Sequence, residues 1–224
     1  MKPYYQDNAV TIYHGDCREI LPTLPAVATI ITDPVWPGTA VKLFGADDPS
    51  RMFAAMWSSL PALPQRAAIH LGCGSDPRFL CGVPVGLAFF RVTWLPVIRC
   101  SYQGRLMNTG DVAYLFGTPP PSRPGARVIP GECRDSDPRG KQADHPCPRK
   151  LRHVSWLVNW WSGETDLVLD PFAGSGTTLL AAKAGARHAI GIEIEEAYCE
   201  VAARRLRQDM LPLEQPNAAA LPSA

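Results

Sequence analysis

Residues 166–178 read DLVLDPFAGSGTT, and no other stretch constrains the fold as strongly. Leu167–Leu169 is a short apolar run of the kind that parallel sheets bury on both faces. Asp170 stands at its carboxyl end, followed by the small-residue loop Ala173-Gly174-Ser175-Gly176 and a helix opening with Thr177-Thr178-Leu179-Leu180. A strand, glycine loop and helix in this order offer a ligand bare backbone N–H groups and the positive end of a helix. A second strand pattern, Arg187–Ile192, ends in Glu193, 23 residues after Asp170. A carboxylate about 20 residues past a glycine loop is where dinucleotide-type folds grip a ribose diol. An acid at the tip of the first strand favours a ligand that also carries ammonium or hydroxyl donors. The pattern points to a nucleotide-like cofactor.

The rest of the chain repeats the alternation. Strand patterns fall at Val10–Tyr13, Ala28–Thr32, Ala67–Leu71, Leu87–Thr93 and Val112–Phe116, besides Leu167–Leu169 and His188–Ile192. Helical patterns fall at Cys17–Leu21, Ser50–Ser59, Lys150–Trp161, Thr177–Ala184 and Glu195–Gln208. Short apolar strands alternating with helices predict a doubly wound, mostly parallel α/β sheet in three layers. Residues 118–144 break the pattern: rich in proline, glycine and charge, they form a variable loop between a catalytic half (1–117) and a cofactor half (145–210) of one domain, with a disordered tail over 211–224. Loops this long inside a compact domain are usually functional or mobile. Trp156, Trp160 and Trp161 sit at helical spacing and are expected to pack in the core. His70 is expected to be a satisfied strand histidine.

With 46% hydrophobic residues the chain can build a core, so wholesale disorder is excluded. The net charge of +1 gives no sign of a nucleic-acid partner, but residues 99–152 hold ten Lys/Arg against five Asp/Glu. That local excess fits phosphate contacts. Seven cysteines without a CxxC pair support neither a metal cluster nor a disulfide framework, and free thiols in a reducing cytoplasm are expected. No stretch approaches the roughly 20 apolar residues that span a bilayer.

DPFAGSGTT together with GIEIEEAYCEVAARRL resembles the S-adenosylmethionine (AdoMet) site of the amino-group DNA methyltransferases, which make N6-methyladenine or N4-methylcytosine. HGDCREILPTLP and TIITDPVWPG, near the start, resemble the catalytic half of the same family, whose catalytic strand ends in Asp/Asn/Ser-Pro-Pro-aromatic. Here that tetrapeptide is Asp33-Pro34-Val35-Trp36, and it precedes the AdoMet loop, as in the family's permuted beta group. His145-Pro146-Cys147-Pro148-Arg149-Lys150 is similar to that group's HPxxKP signature, with arginine for lysine and lysine for the last proline. The matches cover residues 10–36 and 145–206.

The resemblance implies a Rossmann-like methyltransferase fold with an antiparallel edge hairpin, and methyl transfer from AdoMet to adenine N6 in duplex DNA by base flipping. It assigns catalysis to Asp33, Pro34 and Trp36. Asp33 and the Pro34 carbonyl would accept the two amino hydrogens, and Trp36 would stack on the extruded base. Val35 replaces the family's second proline and leaves the turn less rigid. Cofactor contacts fall to Asp16 and Cys17, His145 and Arg149, Asp170, Phe172, Gly174, Gly176, Thr177 and Glu193. DNA contacts fall to Arg123, Arg127, Arg134, Arg139 and Lys141 of the variable loop, mainly on phosphates. Aspartate rather than serine at position 33 points to adenine over cytosine. The alternatives are N4-cytosine or RNA adenosine methylation, or a catalytically silent nucleic-acid-binding regulatory subunit of the same fold. The family implies no metal, a cytoplasmic setting in a bacterial or phage-infected cell, and a link to restriction-modification. The small variable loop implies a homodimer or relaxed specificity.

Overall fold

The structure, a computed structural model, describes residues 1–37, 47–72, 74–103, 105–121, 133 and 150–208; within 97–109 only Arg105 has a described side chain. Eight strands form one sheet: β1 (Tyr5–Gln6), β2 (Val10–His14), β3 (Thr29–Thr32), β4 (Arg66–Gly72), β5 (Phe89–Gln103), β6 (Leu106–Gly117), β7 (Leu167–Asp170) and β8 (His188–Glu193). Their order across the sheet is β1-β2-β8-β7-β3-β4-β6-β5. The five central strands, β2 to β4 in that order, run parallel. β1, β6 and β5 each pair antiparallel to their neighbour, so the expected edge hairpin is present.

Helices α1 (Cys17–Ile20), α2 (Pro49–Ser58), α3 (Leu151–Trp161), α4 (Thr177–Ala184) and α5 (Glu196–Gln208) cover the two faces. Side chains alternate along each strand. Ile30, Ile69, Leu169, Ile190 and Ile192 therefore meet Ile20 of α1 and Phe53, Met56 and Trp57 of α2. Val10, Ile12, Ile31, Ala68, Val168 and Ala189 meet α3, α4 and α5 on the other face. Three layers result, as the alternation predicts. Asp48 caps α2 by accepting from Arg51 N at 3.0 Å, with Pro49 in the first turn where no N–H is needed. Trp161 is fully buried and its indole Nε1 donates to Ala67 O at 3.0 Å, while Trp156 and Trp160 pack partly buried against the same core.

The departures from expectation have local causes. α1 stops at Ile20, and a 3-10 turn over Leu21–Thr23 follows because Pro22 has no N–H for another helical bond. α3 and α5 each begin one residue later than the pattern suggests, at Leu151 and Glu196. β1 is only two residues long and leaves no periodic trace. The largest departure is the edge hairpin. β5 and β6 were expected at Leu87–Thr93 and Val112–Phe116 but pair with each other from Phe89↔Phe116 to Gln103↔Leu106. Past Gly72↔Asp111 no third strand pairs with them among the described residues, so the sheet leaves no full alternation to read along them. His70 is buried, yet its Nε2 makes no hydrogen bond and lies 3.6 Å from Asp111 Oδ2, so it is not the satisfied histidine expected.

The connections place the site. β7 leads through α4 to β8 on one side, and β3 leads through α2 to β4 on the other. β7 and β3 are neighbours, so the sheet's order reverses between them, and ligands of open α/β sheets bind outside the carboxyl ends at such a point. The opposite, amino edge is closed by a partly buried ion pair. Arg66 Nη1 donates to Asp166 Oδ2, which also accepts from Thr29 Oγ1 at 2.6 Å and Gly163 N at 2.8 Å.

Candidate active site

Four parallel strands end side by side at the carboxyl edge, and each end carries or adjoins a carboxylate. β7 ends in Asp170, β8 in Glu193, β2 leads through His14 and Gly15 to Asp16, and β3 leads through Thr32 to Asp33. His14 pairs with Glu193, and Gly15 N donates to Glu193 O at 2.9 Å, which sets the Asp16 turn beside Glu193. Sheet pairing alone thus brings together residues from opposite ends of the chain.

Asp170 is buried, and among the described residues its hydrogen bonds come from neutral donors. Thr32 Oγ1 donates to its Oδ1 at 2.7 Å, Phe172 N at 3.2 Å, and the Thr178 hydroxyl adds a third bond. Burial pushes its carboxyl up to about 6, and the nearby Asp33 charge adds to the rise, against the lowering by these bonds. Glu193 is also buried, and burial raises its carboxyl above the ordinary range. Its Oε2 accepts from Gly174 N at 2.7 Å and its Oε1 from Glu195 N at 2.9 Å. The Ile194 N–H adds a third bond; a carboxylate offers about four acceptor sites, so the group is oriented and still able to accept from a ligand.

The loop between them depends on two glycines. Gly174 has φ +50° and Gly176 φ +77°, and a Cβ on Gly176 would come within 2.7 Å of Ala202 Cβ. α5 therefore packs directly on the loop, which L side chains would obstruct. Behind the loop, one guanidinium nitrogen of Arg205 donates to Ser175 O at 2.5 Å, Ser175 Oγ at 3.1 Å and Thr177 Oγ1 at 3.2 Å. Arg205 escapes a reading of the sequence because nothing local marks one arginine on α5 as a loop support.

Asp33 directly follows Thr32, the residue whose hydroxyl holds Asp170, so the Asp33–Trp36 tetrapeptide is tied to the end of β7 through one hydrogen bond. Pro34 is buried, and Asp33, Val35 and Trp36 are half-buried. Trp36 packs over Gly72 at the end of β4, where a Cβ would stand 3.4 Å from Trp36 Cζ2.

Asp16, Asp33, Pro34, Trp36, Asp170, Phe172, Gly174, Gly176, Thr177 and Glu193 all fall along this one edge. Asp16 is engaged by Arg18, whose guanidinium lowers its carboxyl, and it caps α1 by accepting from Arg18 N at 2.9 Å. Cys17 is buried in the core beside α2, and burial pushes its thiol up to about 12. His145, Arg149, Arg123, Arg127, Arg134, Arg139 and Lys141 lie outside the described residues. The described cysteines, Cys17, Cys81, Cys133 and Cys199, are free thiols. Among the described residues no group of three or more His, Cys, Asp or Glu side chains could hold a metal ion, and no helix is long and apolar enough to cross a membrane.

Residues 91–204 match a family model described as DNA methylase. Methylase YubD of Escherichia coli (strain K12) is 35% identical over 90% of this chain and 92% of its own length. The orphan methyltransferase M.BamHII of Bacillus amyloliquefaciens is 51% identical over 28% of this chain but 24% of its own length. This chain thus spans about a fifth to a quarter of several curated methyltransferases that it matches. Two solved structures share the fold. The PvuII DNA methyltransferase (cytosine-N4-specific) superposes with a TM-score of 0.71 at 18% identity, covering 96% of this chain and 90% of its own. The M1.HpyAVI–SAM complex gives 0.68 at 23% identity, covering 88% and 98%.

Proposed function

This chain belongs to the N6/N4 DNA methylase family, and from that premise we propose that it transfers a methyl group from AdoMet to the exocyclic N6 of adenine in duplex DNA. The observation that carries this reading is the Thr32–Asp170 hydrogen bond, which joins the end of the cofactor strand to the residue before Asp33. The donor set fits AdoMet. Asp170 is a buried acceptor with, among the described residues, neutral hydrogen-bond donors, and suits the methionine ammonium; Glu193 suits the ribose diol; Asp16, one strand further, would suit the adenine amino group. Gly174 and Gly176 leave backbone open to close approach. AdoMet supplies an electrophilic methyl on a sulfonium, so the chain needs to orient groups rather than to activate a metal.

The difficulty lies in the acceptor, whose amino lone pair is delocalised into the ring. The Asp33 carboxylate accepts one amino hydrogen and the Pro34 carbonyl the other, drawing the nitrogen toward a tetrahedral, nucleophilic geometry. Trp36 stacks on the extruded base, an interaction worth about 1–3 kcal/mol. Positioning and fixed electrostatics then supply the rate. Aspartate at position 33 supports adenine. The short variable loop supports a homodimer or a short, relaxed recognition site.

Incubation with labelled AdoMet and duplex DNA, single strands or duplex RNA, with product nucleosides resolved by chromatography, tests the reading. N6-methyladenine in duplex DNA is expected. N4-methylcytosine corrects the base, labelled RNA corrects the substrate, and no transfer with intact DNA binding leaves a regulatory subunit. Asp33→Ala is expected to abolish transfer and spare AdoMet affinity. Equal loss of both would make Asp33 a structural residue.

A further inference from the structure

His70 is a buried group to which the proposed chemistry gives no task. It lies on β4 at 4% exposure, and among the described residues its Nε2 has no hydrogen-bond partner. Native structures leave few buried polar atoms unpaired, and each such atom needs a physical reason. The register of the sheet defines the surroundings of the imidazole. β3 and β4 pair in parallel up to Thr32↔Ile69, so the next residue on each strand, Asp33 and His70, stand level with each other. Side chains alternate along a strand. Ile31 and Ala68 both belong to the core under α3, α4 and α5, and Asp33 and His70, two residues further on, share that face. On its other side β4 pairs antiparallel with β6, through His70↔Ala113 and Gly72↔Asp111. Ala113 belongs to the same core, so Asp111 also lies on this face, diagonal to His70, with its Oδ2 3.6 Å from Nε2.

Three neighbouring strands thus carry Asp33, His70 and Asp111 in one row, with strands about 4.8 Å apart. The row starts at the carboxylate assigned to the acceptor amine and ends at a side chain that is 27% exposed. An imidazole in the middle position is a flat, rigid neighbour that offers one N–H and one lone pair in a fixed plane. At 4% exposure it is closed off from an incoming base, so its effect on the reaction passes through Asp33. A stiff group packed beside Asp33 limits the rotation of its carboxylate. That orientation matters, because misplacing a reacting group by about 1 Å can cost on the order of 100-fold in rate.

We propose that His70, set between Asp33 and Asp111, is a positioning residue that holds the Asp33 carboxylate in the orientation that receives the amino hydrogen. The proposal rests on the reading of Asp33 given above. Two variants test it: His70→Ala, which removes the neighbour, and His70→Gln, whose side-chain amide keeps much of the volume and an N–H. Single-turnover methyl transfer to duplex DNA is measured at saturating AdoMet, with AdoMet affinity by calorimetry and duplex affinity by fluorescence anisotropy. His70→Ala is expected to slow transfer by about tenfold or more while both affinities stay at the wild-type value. His70→Gln is expected to recover most of that rate, which a role in general core packing does not predict without parallel changes in AdoMet affinity. Wild-type transfer by His70→Ala overturns the proposal. So does a His70→Gln variant as slow as His70→Ala, or a loss of AdoMet affinity that tracks the loss of rate in both variants. A wild-type protein that binds duplex yet transfers no methyl group overturns the functional reading itself, and this role of His70 with it.

Discussion

β7 is bracketed by two aspartates four residues apart, and they have opposite surroundings. At its amino end Asp166 meets the Arg66 guanidinium, and Arg66 is itself completed by Thr118 O at 2.9 Å and Gln65 Oε1 at 3.0 Å. The charge there is matched within the protein, and the edge is closed. At its carboxyl end Asp170 accepts from two hydroxyls and one backbone N–H, and among the described residues the charge of Asp33, another carboxylate, acts on it. A buried anion is costly, and here burial pushes the carboxyl up to about 6. The difference separates an ion pair that keeps the fold from a carboxylate that, in the function proposed above, receives a cationic ligand.

The comparison breaks most visibly at Arg66. Arg66→Ala leaves the half-buried Asp166 without its counter-charge, and is expected to lower unfolding free energy in urea by about 1–3 kcal/mol. Replacing both partners with apolar residues of similar size should recover most of the loss, because the desolvation cost disappears with the charges. A single variant with wild-type stability would show that the amino edge is not a closed pair.

Asp170→Asn should act in the other direction. An unfolded aspartate titrates near 3.9, and the folded one at about 6. Between those values the folded protein keeps a proton that the unfolded chain has released. Stability without cofactor therefore falls as pH rises from about 4 through 6, and then levels off. The full difference is about 3 kcal/mol at 1.36 kcal/mol per pKa unit. The Asp170→Asn variant should lose that fall, be more stable than the wild type at pH 8, and bind AdoMet more weakly. Thermal unfolding over pH 3.5–8 and calorimetry read the two effects separately. An unchanged pH profile would remove the contrast with Asp166.

Glu193→Ala sharpens the comparison on the neighbouring strand. The loss of a charge-assisted hydrogen bond to the ribose should weaken AdoMet binding by about 1–3 kcal/mol in a folded variant. Unchanged affinity would remove the ribose assignment and leave Glu193 as a support for the Gly174 and Glu195 N–H groups alone.

Much of this molecule was legible along the chain. The apolar runs of β2, β3, β4, β7 and β8 stand out because these strands are central and parallel, and burial on both faces writes itself into consecutive residues. The DPFAGSGTT loop, Glu193 and the Asp33 tetrapeptide stand out because turn geometry and site chemistry restrict residue type locally. Those constraints act between neighbours in sequence, and a sequence can display them. Pairing between distant residues is different. Nothing near Thr32 announces Asp170, nothing near Asp166 announces Arg66, and Arg205 resembles its neighbours Arg204 and Arg207. Each partner was chosen by sheet order and helix packing, which depend on the whole fold. The length of the β5–β6 hairpin was hidden for the complementary reason: past Gly72↔Asp111 β6 no longer pairs with β4, and the pairing that continues is with β5 alone among the described residues. What a residue is can be read from the chain; which charge it meets, and at which edge of the sheet, was decided only when the strands came together.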